Sequence, residues 1–273
     1  MKRFSFWSIT LLLITLTVFA VNRRSAAEKS DLPVQPVTLA KATSVPAMSK
    51  VEIFDNYIVE TYTNIGLAKA GLDLDVFRKA VIGYYNLKQS GKLSATKNIL
   101  SIADFTKKSR NKRLWIVDLA QQKMLFHTFV THGKNSGGDM ATDFSNIPNS
   151  EKSSLGFYIA NEIYYGKHGM SLKLDGMDEG FNSNARNRAV VVHGAAYANP
   201  GVIDQLGRLG RSQGCPALPK ALTKPIIETI KNKTVLFING GDESYTSTYL
   251  NQDFAAESYT ATLPVETAPA SSI

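Results

Sequence analysis

The chain has one cysteine in 273 residues, Cys215, and only four histidines. A single thiol closes no internal disulfide, so a cross-linked scaffold is excluded. No CxxC or HExxH pattern occurs, and His127, His132, His168 and His193 stand at no ligand spacing, which argues against zinc. No metal or cofactor is expected. Dense Lys/Arg runs and basic stripes interleaved with aromatics are missing too, so a nucleic-acid partner is not expected.

Long apolar runs are scarce. The one present, "FSFWSITLLLITLTVFAV" from Phe4 to Val21, follows Lys2 and Arg3. A basic start before an apolar core is the plan of a secretory signal, with Val18 and Ala20 placed for cleavage after Ala20. The run also approaches the length of a membrane span, and Arg23 and Arg24 follow it. Residues 1–22 are therefore read as a signal peptide or an N-terminal anchor, and either exports the remainder to the periplasm or cell envelope. The full chain carries 31 Lys and Arg against 23 Asp and Glu, a formal charge of +8. Setting aside Lys2, Arg3, Arg23 and Arg24 leaves 27 against 23, a net of about +4. That mild excess suits an anionic envelope polymer without proving one.

Residues 23–49 are rich in Ser, Ala, Thr and Pro and read as a flexible linker. Residues 241–273 have the same character and read as a disordered tail. Between them lies enough chain for one domain with a solid core. Residues 50–97 read as a helical pair packed on the domain after it. Ile53, Tyr57, Ile58 and Tyr62 recur at helical spacing until Gly71, and Leu74, Phe77, Val81 and Tyr84 repeat the pattern after an Asp73 cap. From residue 98 to 240 the period changes. "KRLWIVDLA" and "KMLFHTFVTHG" make a hairpin pattern, and "SLGFYIANEIYY", "SLKLDG", "RAVVVHG" and "KTVLFING" add strands. The expectation is a mainly β domain, a curled sheet or sandwich, with one or two short helices. One helix is placed in "PALPKALTKPIIETIKN", with Pro216 in its first turn and Pro225 set against an unbroken run.

Cys215 lies in "VVVHGAAYANPGVIDQLGRLGRSQGCPALP". An exported free thiol is either buried and inert or kept for chemistry. Three features favour chemistry: a helix start just after Cys215, a flexible Gly214 before it, and His193 at the end of a β-branched run. A His–Cys pair is sterically plausible, with the Gly214 and Cys215 amides as an oxyanion hole. A separation of 22 residues does not establish the pair, and from the residues alone both readings stay open.

The same stretch resembles the signature of YkuD-type L,D-transpeptidases: His193 and Gly194, a gap, then Ser212, Gly214 and Cys215. Gln213 stands where many members carry histidine, and Pro216 follows the cysteine. With these departures, "KRLWIVDL", "LFHTFVTHGKNSG", "FSNIPNSEKSSLGFY", "YGKHGMSLKLDGMDEGFN" and "GRLGRSQGCPALP" in order resemble the murein L,D-transpeptidase catalytic domain family, over roughly residues 51–239. The resemblance implies attack by the Cys215 thiolate on the bond between the L-centred diamino acid and D-alanine of a peptidoglycan stem. His193 would be the base, its tautomer held by a backbone carbonyl, and transfer to a second stem would give a 3→3 cross-link. Water as acceptor gives L,D-carboxypeptidase activity, and a wall-binding module that has lost catalysis is the further alternative. Ser212 is read as an oxyanion or histidine donor or as a turn hydroxyl, while Arg211, Arg208, Gly194 and Gln213 are candidates for gripping the stem. His132 and His168 are placed near the cleft or in ordinary loops, and Arg188 is read as an edge charge. The protein is expected to act as a monomer and to be acylated by carbapenems.

Overall fold

The computed structural model describes residues 48–264. The apolar run at residues 4–21, and nearly all of the linker, lie outside the described residues. Helix α1 (Lys50–Ile65) opens with a capping box in which Ser49 accepts from the Glu52 amide and the Glu52 carboxylate accepts from the Ser49 amide at 2.7 Å. Its buried line is Phe54, Ile58 and Thr61, flanked by Tyr57 and Tyr62. Gly66, at φ 76, ends it five residues before the expected Gly71. Helix α2 (Leu74–Gln89) is capped by Asp73, as the sequence implies.

Gly83, in the middle of α2, lies against Phe157, and a Cβ there would overlap the ring. Alanine normally gains about 1 kcal/mol over glycine inside a helix. Here overpacking of about 1–3 kcal/mol opposes it against a fixed aromatic ring. Gly83→Ala is therefore expected to lower stability by up to about 2 kcal/mol, read as a lower urea midpoint at unchanged slope. An unchanged or raised midpoint would show that α2 can move off the sheet freely.

The strands form one mixed eight-stranded sheet, so the sandwich alternative does not apply. The strands are β1 (Ile99–Asp104), β2 (Leu114–Asp118), β3 (Lys123–Thr128), β4 (Gly156–Gly166), β5 (Gly169–Gly176), β6 (Val191–Ala195), β7 (Ala217–Pro219) and β8 (Thr234–Asn239). Their order is β3-β2-β1-β8-β4-β5-β6-β7, and the sheet is curled. Two pairings are parallel, β1 with β8 and β6 with β7. Register breaks at Ile116/Val117 and between Ala160 and Ile163 add local bend.

Alternation along the central strands feeds two cores. Leu100, Ile102, Trp115, Val117, Val235 and Phe237 face α1 and α2. Ile99, Ala103, Ile116, Leu236 and Ile238 face the opposite side, against helix α4 (Lys220–Ile230), which comes after the short α3 (Pro200–Leu206). Both faces of β1 and β8 are therefore buried; β8 reads as an apolar run from Val235 to Ile238, while β1 carries Ser101 and Asp104 among its apolar residues.

Three expectations need correction. Pro216 does not start a helix: β7 intervenes and α4 begins only at Lys220. That helix then runs through Pro225, because Pro225 and Ala221, the residue whose carbonyl it cannot bond, both lie on the solvent side. The C-terminal segment, read as a tail, also carries defined structure within residues 241–264, and residues 265–273 lie outside the described residues. Helix α5 (Gln252–Thr260) packs Ala255 and Ala256 onto α1 and α2, and Tyr259 stacks on Tyr57 at 4.2 Å. The segment between β8 and α5 is pinned by Asp178, a buried carboxylate that accepts from the Phe157 amide (2.7 Å), Tyr245 (2.8 Å) and Ser247 (2.5 Å). A composition of Ser, Thr and Ala signals a tail, but small side chains are also what allows a helix to lie close on two others.

Candidate active site

The parallel β6–β7 pairing brings the two ends of the 22-residue separation together. His193 stands opposite Ala217, and Cys215, two residues before that strand, lies beside Val191. The Val191 amide reaches the Cys215 sulfur at 3.5 Å. The other flank of the cysteine turn is stitched to residues 131–134: Ser212 donates its amide to the His132 carbonyl (3.0 Å), and Thr131 donates to the Ala217 carbonyl (3.0 Å). His193 and Cys215 both line one cleft of about 820 Å³.

The His193 Nδ1 lies 3.2 Å from the Gly194 carbonyl. A carbonyl only accepts, so Nδ1 carries the proton and Nε2 is left as the acceptor. This is the backbone-held tautomer that the resemblance implies. Gly194 itself packs where a Cβ would overlap Thr223 of α4. Its part is close packing and a carbonyl, rather than contact with a ligand.

Cys215 is part-exposed, and its sulfur points toward the Ala189 carbonyl at 3.7 Å. No hydrogen bond joins the sulfur to His193 among the described residues. Burial pushes the thiol up, opposed by the Val191 amide and by the charges of Arg188 and Lys167. Burial likewise pulls the His193 imidazole down, aided by the charges of His168 and Lys167 and opposed by the Gly194 bond. The two shifts favour a neutral thiol beside a neutral imidazole at rest, which leaves the histidine able to take the proton. The helix dipole expected at Cys215 is absent, since α4 begins five residues later. Arg188 supplies positive charge in its place.

Arg188 is not the edge charge that its place in the sequence suggests; it is built into the site. Its guanidinium donates to the Ser145 carbonyl (2.6 Å), the Lys152 carbonyl (2.6 Å), Ser150 Oγ (3.2 Å) and Ser154 Oγ, and it lines the cleft. Three non-glycine residues with left-handed backbone, Asn149, Glu151 and Ala189, also line it. Such conformations cost of order 1 kcal/mol each and collect where a site dictates backbone direction. Ala189 is the one whose carbonyl faces the sulfur.

Ser212 takes the turn role: Oγ donates to the Cys215 carbonyl (2.6 Å) and accepts from the Gly214 amide (3.1 Å). That occupies the Gly214 amide, which is therefore not free as an oxyanion donor. Gly214 does adopt a positive φ, 117°, and a side chain there would meet the Lys152 carbonyl. The Cys215 amide donates to no group among the described residues. Arg211 and Gln213 line the cleft, Arg211 bonded to the carbonyls of Lys134 and Gly137 and Gln213 to Glu151. Arg208 does not line it and donates to the neighbouring Leu209 carbonyl. No cluster of His, Cys, Asp and Glu among the described residues is arranged to hold a metal.

Of the other histidines, His168 lines the cleft close to His193. His127 stacks on Trp115 at 5.1 Å. His132 is fully buried behind the cysteine turn, 2.7 Å from an Arg113 nitrogen. Burial, and then the Arg113 charge, push its imidazole down to about 4. The folded state thus binds fewer protons than the unfolded one between pH 4 and the ordinary 6.5, and stability falls as pH drops through that window. Unfolding at pH 5 is expected to need about 2 kcal/mol less than at pH 7 from this group. Urea titrations at both pH values measure it. If His132→Gln, which has no such titration, keeps the full acid loss, the assignment to His132 is wrong.

The profile of the L,D-transpeptidase catalytic domain matches residues 68–239. No curated protein sequence matches the chain. Among solved structures it is similar to an L,D-transpeptidase from Mycobacterium smegmatis (13% identity, TM-score 0.33, covering 53% of this chain and 59% of that one). It is also similar to the helical cell shape determining protein Pgp2 from Campylobacter jejuni (12%, TM-score 0.38, 67% and 63%). A third is an L,D-transpeptidase from Stackebrandtia nassauensis (16%, TM-score 0.33, 69% and 78%). The chain spans about three fifths of the length of the first two.

Proposed function

The chain belongs to the L,D-transpeptidase catalytic domain family, and we propose that it is a cysteine-dependent acyltransferase of peptidoglycan stems with Cys215 as nucleophile and His193 as base. The observation that carries this reading is the shared cleft: His193 on β6 and Cys215, two residues before the paired strand β7, line it together, with His193 Nδ1 committed to the Gly194 carbonyl.

In the first half-reaction Cys215 Sγ attacks the carbonyl that links the L-centred diamino acid to D-alanine. The thiol proton passes to His193 Nε2, which the Gly194 bond keeps unprotonated. The thiol must turn from the Ala189 carbonyl to reach the imidazole, a tightening common when substrate enters. The Cys215 amide serves the oxyanion. Collapse breaks the peptide C–N bond, His193 returns the proton to the departing D-alanine amine, and a thioester remains. In the second half-reaction an amine of another stem attacks the thioester, gives its proton to His193 and expels the Cys215 thiolate, which is reprotonated. The product is a 3→3 cross-link; water in place of the amine yields a tripeptide stem. Export through residues 1–22 places this chemistry in the envelope, the protein working as a monomer.

The test is the full chain incubated with disaccharide-tetrapeptide stems and followed by mass spectrometry. A dimer with loss of one D-alanine supports transpeptidation. Tripeptide without dimer assigns water as the acceptor. No released D-alanine and no mass added to Cys215 would overturn the enzyme reading in favour of a wall-binding module.

A further inference from the structure

His193 has a second neighbour that the acid–base chemistry does not use. His168 lies in the two-residue loop of the β4–β5 hairpin, between Gly166 and Gly169, which are paired with each other. Gly169 turns the chain at φ 72. The exposed His168 ring lies over His193, with ring centroids 4.2 Å apart and planes inclined by 26°. That is a stack, not an edge contact.

The hairpin that carries it is braced. Arg186 forks across to Glu162 (2.6 Å) and to Asp175, and Lys173 adds a second contact to Glu162 (3.1 Å). Close to its turn, Ser171 of β5 pairs directly with His193 of β6. The loop and the imidazole are therefore fixed to one another through a short stretch of sheet. On the other side, the Gly194 bond restrains His193 at one nitrogen only. It selects the tautomer but leaves the ring free to tilt about that contact, and a ring lying flat against it removes the tilt.

We propose that His168 is a positioning residue that holds the His193 imidazole in the plane from which Nε2 serves Cys215. The proposal rests on His193 being the base. The charged and titratable groups sharing the cleft with His193 are Tyr164, Lys167 and His168 from the hairpin, Arg188 before β6, Tyr197 after it, Arg211 and Cys215 before β7, and Glu151 across the opening. His168 and Lys167 are the two whose positive charge opposes protonation of His193. Loss of His168 thus changes two things, the stack and the local charge, and two substitutions separate them. Phenylalanine keeps a flat ring without charge, whereas alanine keeps neither.

The full-length wild type, His168→Ala and His168→Phe are compared in D-alanine release from disaccharide-tetrapeptide stems, giving kcat and KM against pH. The His193 ring is followed in parallel by histidine NMR, its signal assigned with His193→Gln. His168→Ala is expected to lose about tenfold in kcat at nearly unchanged KM, since a misaimed base slows chemistry and not binding. His168→Phe is expected to recover most of that loss. In both variants the His193 titration and the acid limb of kcat move to higher pH, because a like charge has gone. Wild-type kcat and an unmoved His193 titration in His168→Ala would overturn the proposal. So would a raised KM that phenylalanine does not rescue, which would assign His168 to substrate contact. If the wild type itself releases no D-alanine, the proposed activity has failed. The NMR comparison then still decides the stack, an unmoved His193 signal in His168→Ala counting against it.

Discussion

Cys215→Ala is expected to release no D-alanine from tetrapeptide stems and to gain no mass from a carbapenem, while the wild-type chain does both. The strained lactam presents a carbonyl of the kind that Sγ is proposed to attack, and alanine has no atom to bond to it. His193→Ala should differ in kind. The thiol remains, so acylation still occurs, but about 10²–10⁴-fold more slowly at neutral pH without a positioned base. The deficit should also shrink as pH rises. Burial holds the thiol up, so at neutral pH it depends on the imidazole to lose its proton, whereas alkaline solvent removes the proton unaided. Intact-protein mass spectrometry over time reads both variants. An adduct on Cys215→Ala would place the nucleophile elsewhere. A His193→Ala deficit independent of pH would mean that the histidine shapes the cleft without moving a proton.

The parts of the molecule that are legible in the sequence are those whose signal is local. β2 and β3 show as a hairpin because β3 lies at the edge of the sheet and keeps a partly exposed face. Asp73 announces α2 because a cap is a matter of three neighbouring residues. β1 and β7 are not legible. β1 is buried on both faces and so has no alternation, and Ser101 and Asp104 break the apolar run that makes the equally buried β8 readable; β7 is three residues long, owing its strand to β6 and Thr131 on either side. Helix α5 is hidden for another reason: its buried Ala255, Ala256 and Ser258 look like tail composition until α1 and α2 are placed beneath them.

The site divides in the same way. His193 and Cys215 are legible as a motif, and a parallel strand pair explains how a separation of 22 residues still leaves them at one cleft. The loop between them is closed by Ser212, whose hydroxyl spans the turn, so the motif serine is read better as architecture than as chemistry. His168 and Arg188 give no comparable signal. A histidine between two glycines and an arginine before a strand are ordinary in sequence, and each acquires its part only from what the sheet brings beside it.

Arg188→Met is the second substitution with a large expected effect, and it acts on two levels. The guanidinium ties together the segment from Ser145 to Ser154, which forms the cleft wall next to Gly214. Methionine fills similar space but leaves the part-buried Lys152 carbonyl without its guanidinium donor and the Ser145 carbonyl with Ser154 Oγ alone, at a cost of about 1–3 kcal/mol for a group that finds no water. The charge is lost as well, and it is one of the three influences that favour the Cys215 thiolate against burial. Alkylation of Cys215 by iodoacetamide at neutral pH should therefore slow roughly tenfold, with its pH dependence moved to higher pH. Arg188→Lys separates the levels, since it keeps a positive charge but not the planar fork. It should lose stability while holding thiol reactivity nearer to wild type. If methionine and lysine shift the alkylation profile equally, the charge is not what acts on Cys215, and Arg188 is a tie for the cleft wall alone.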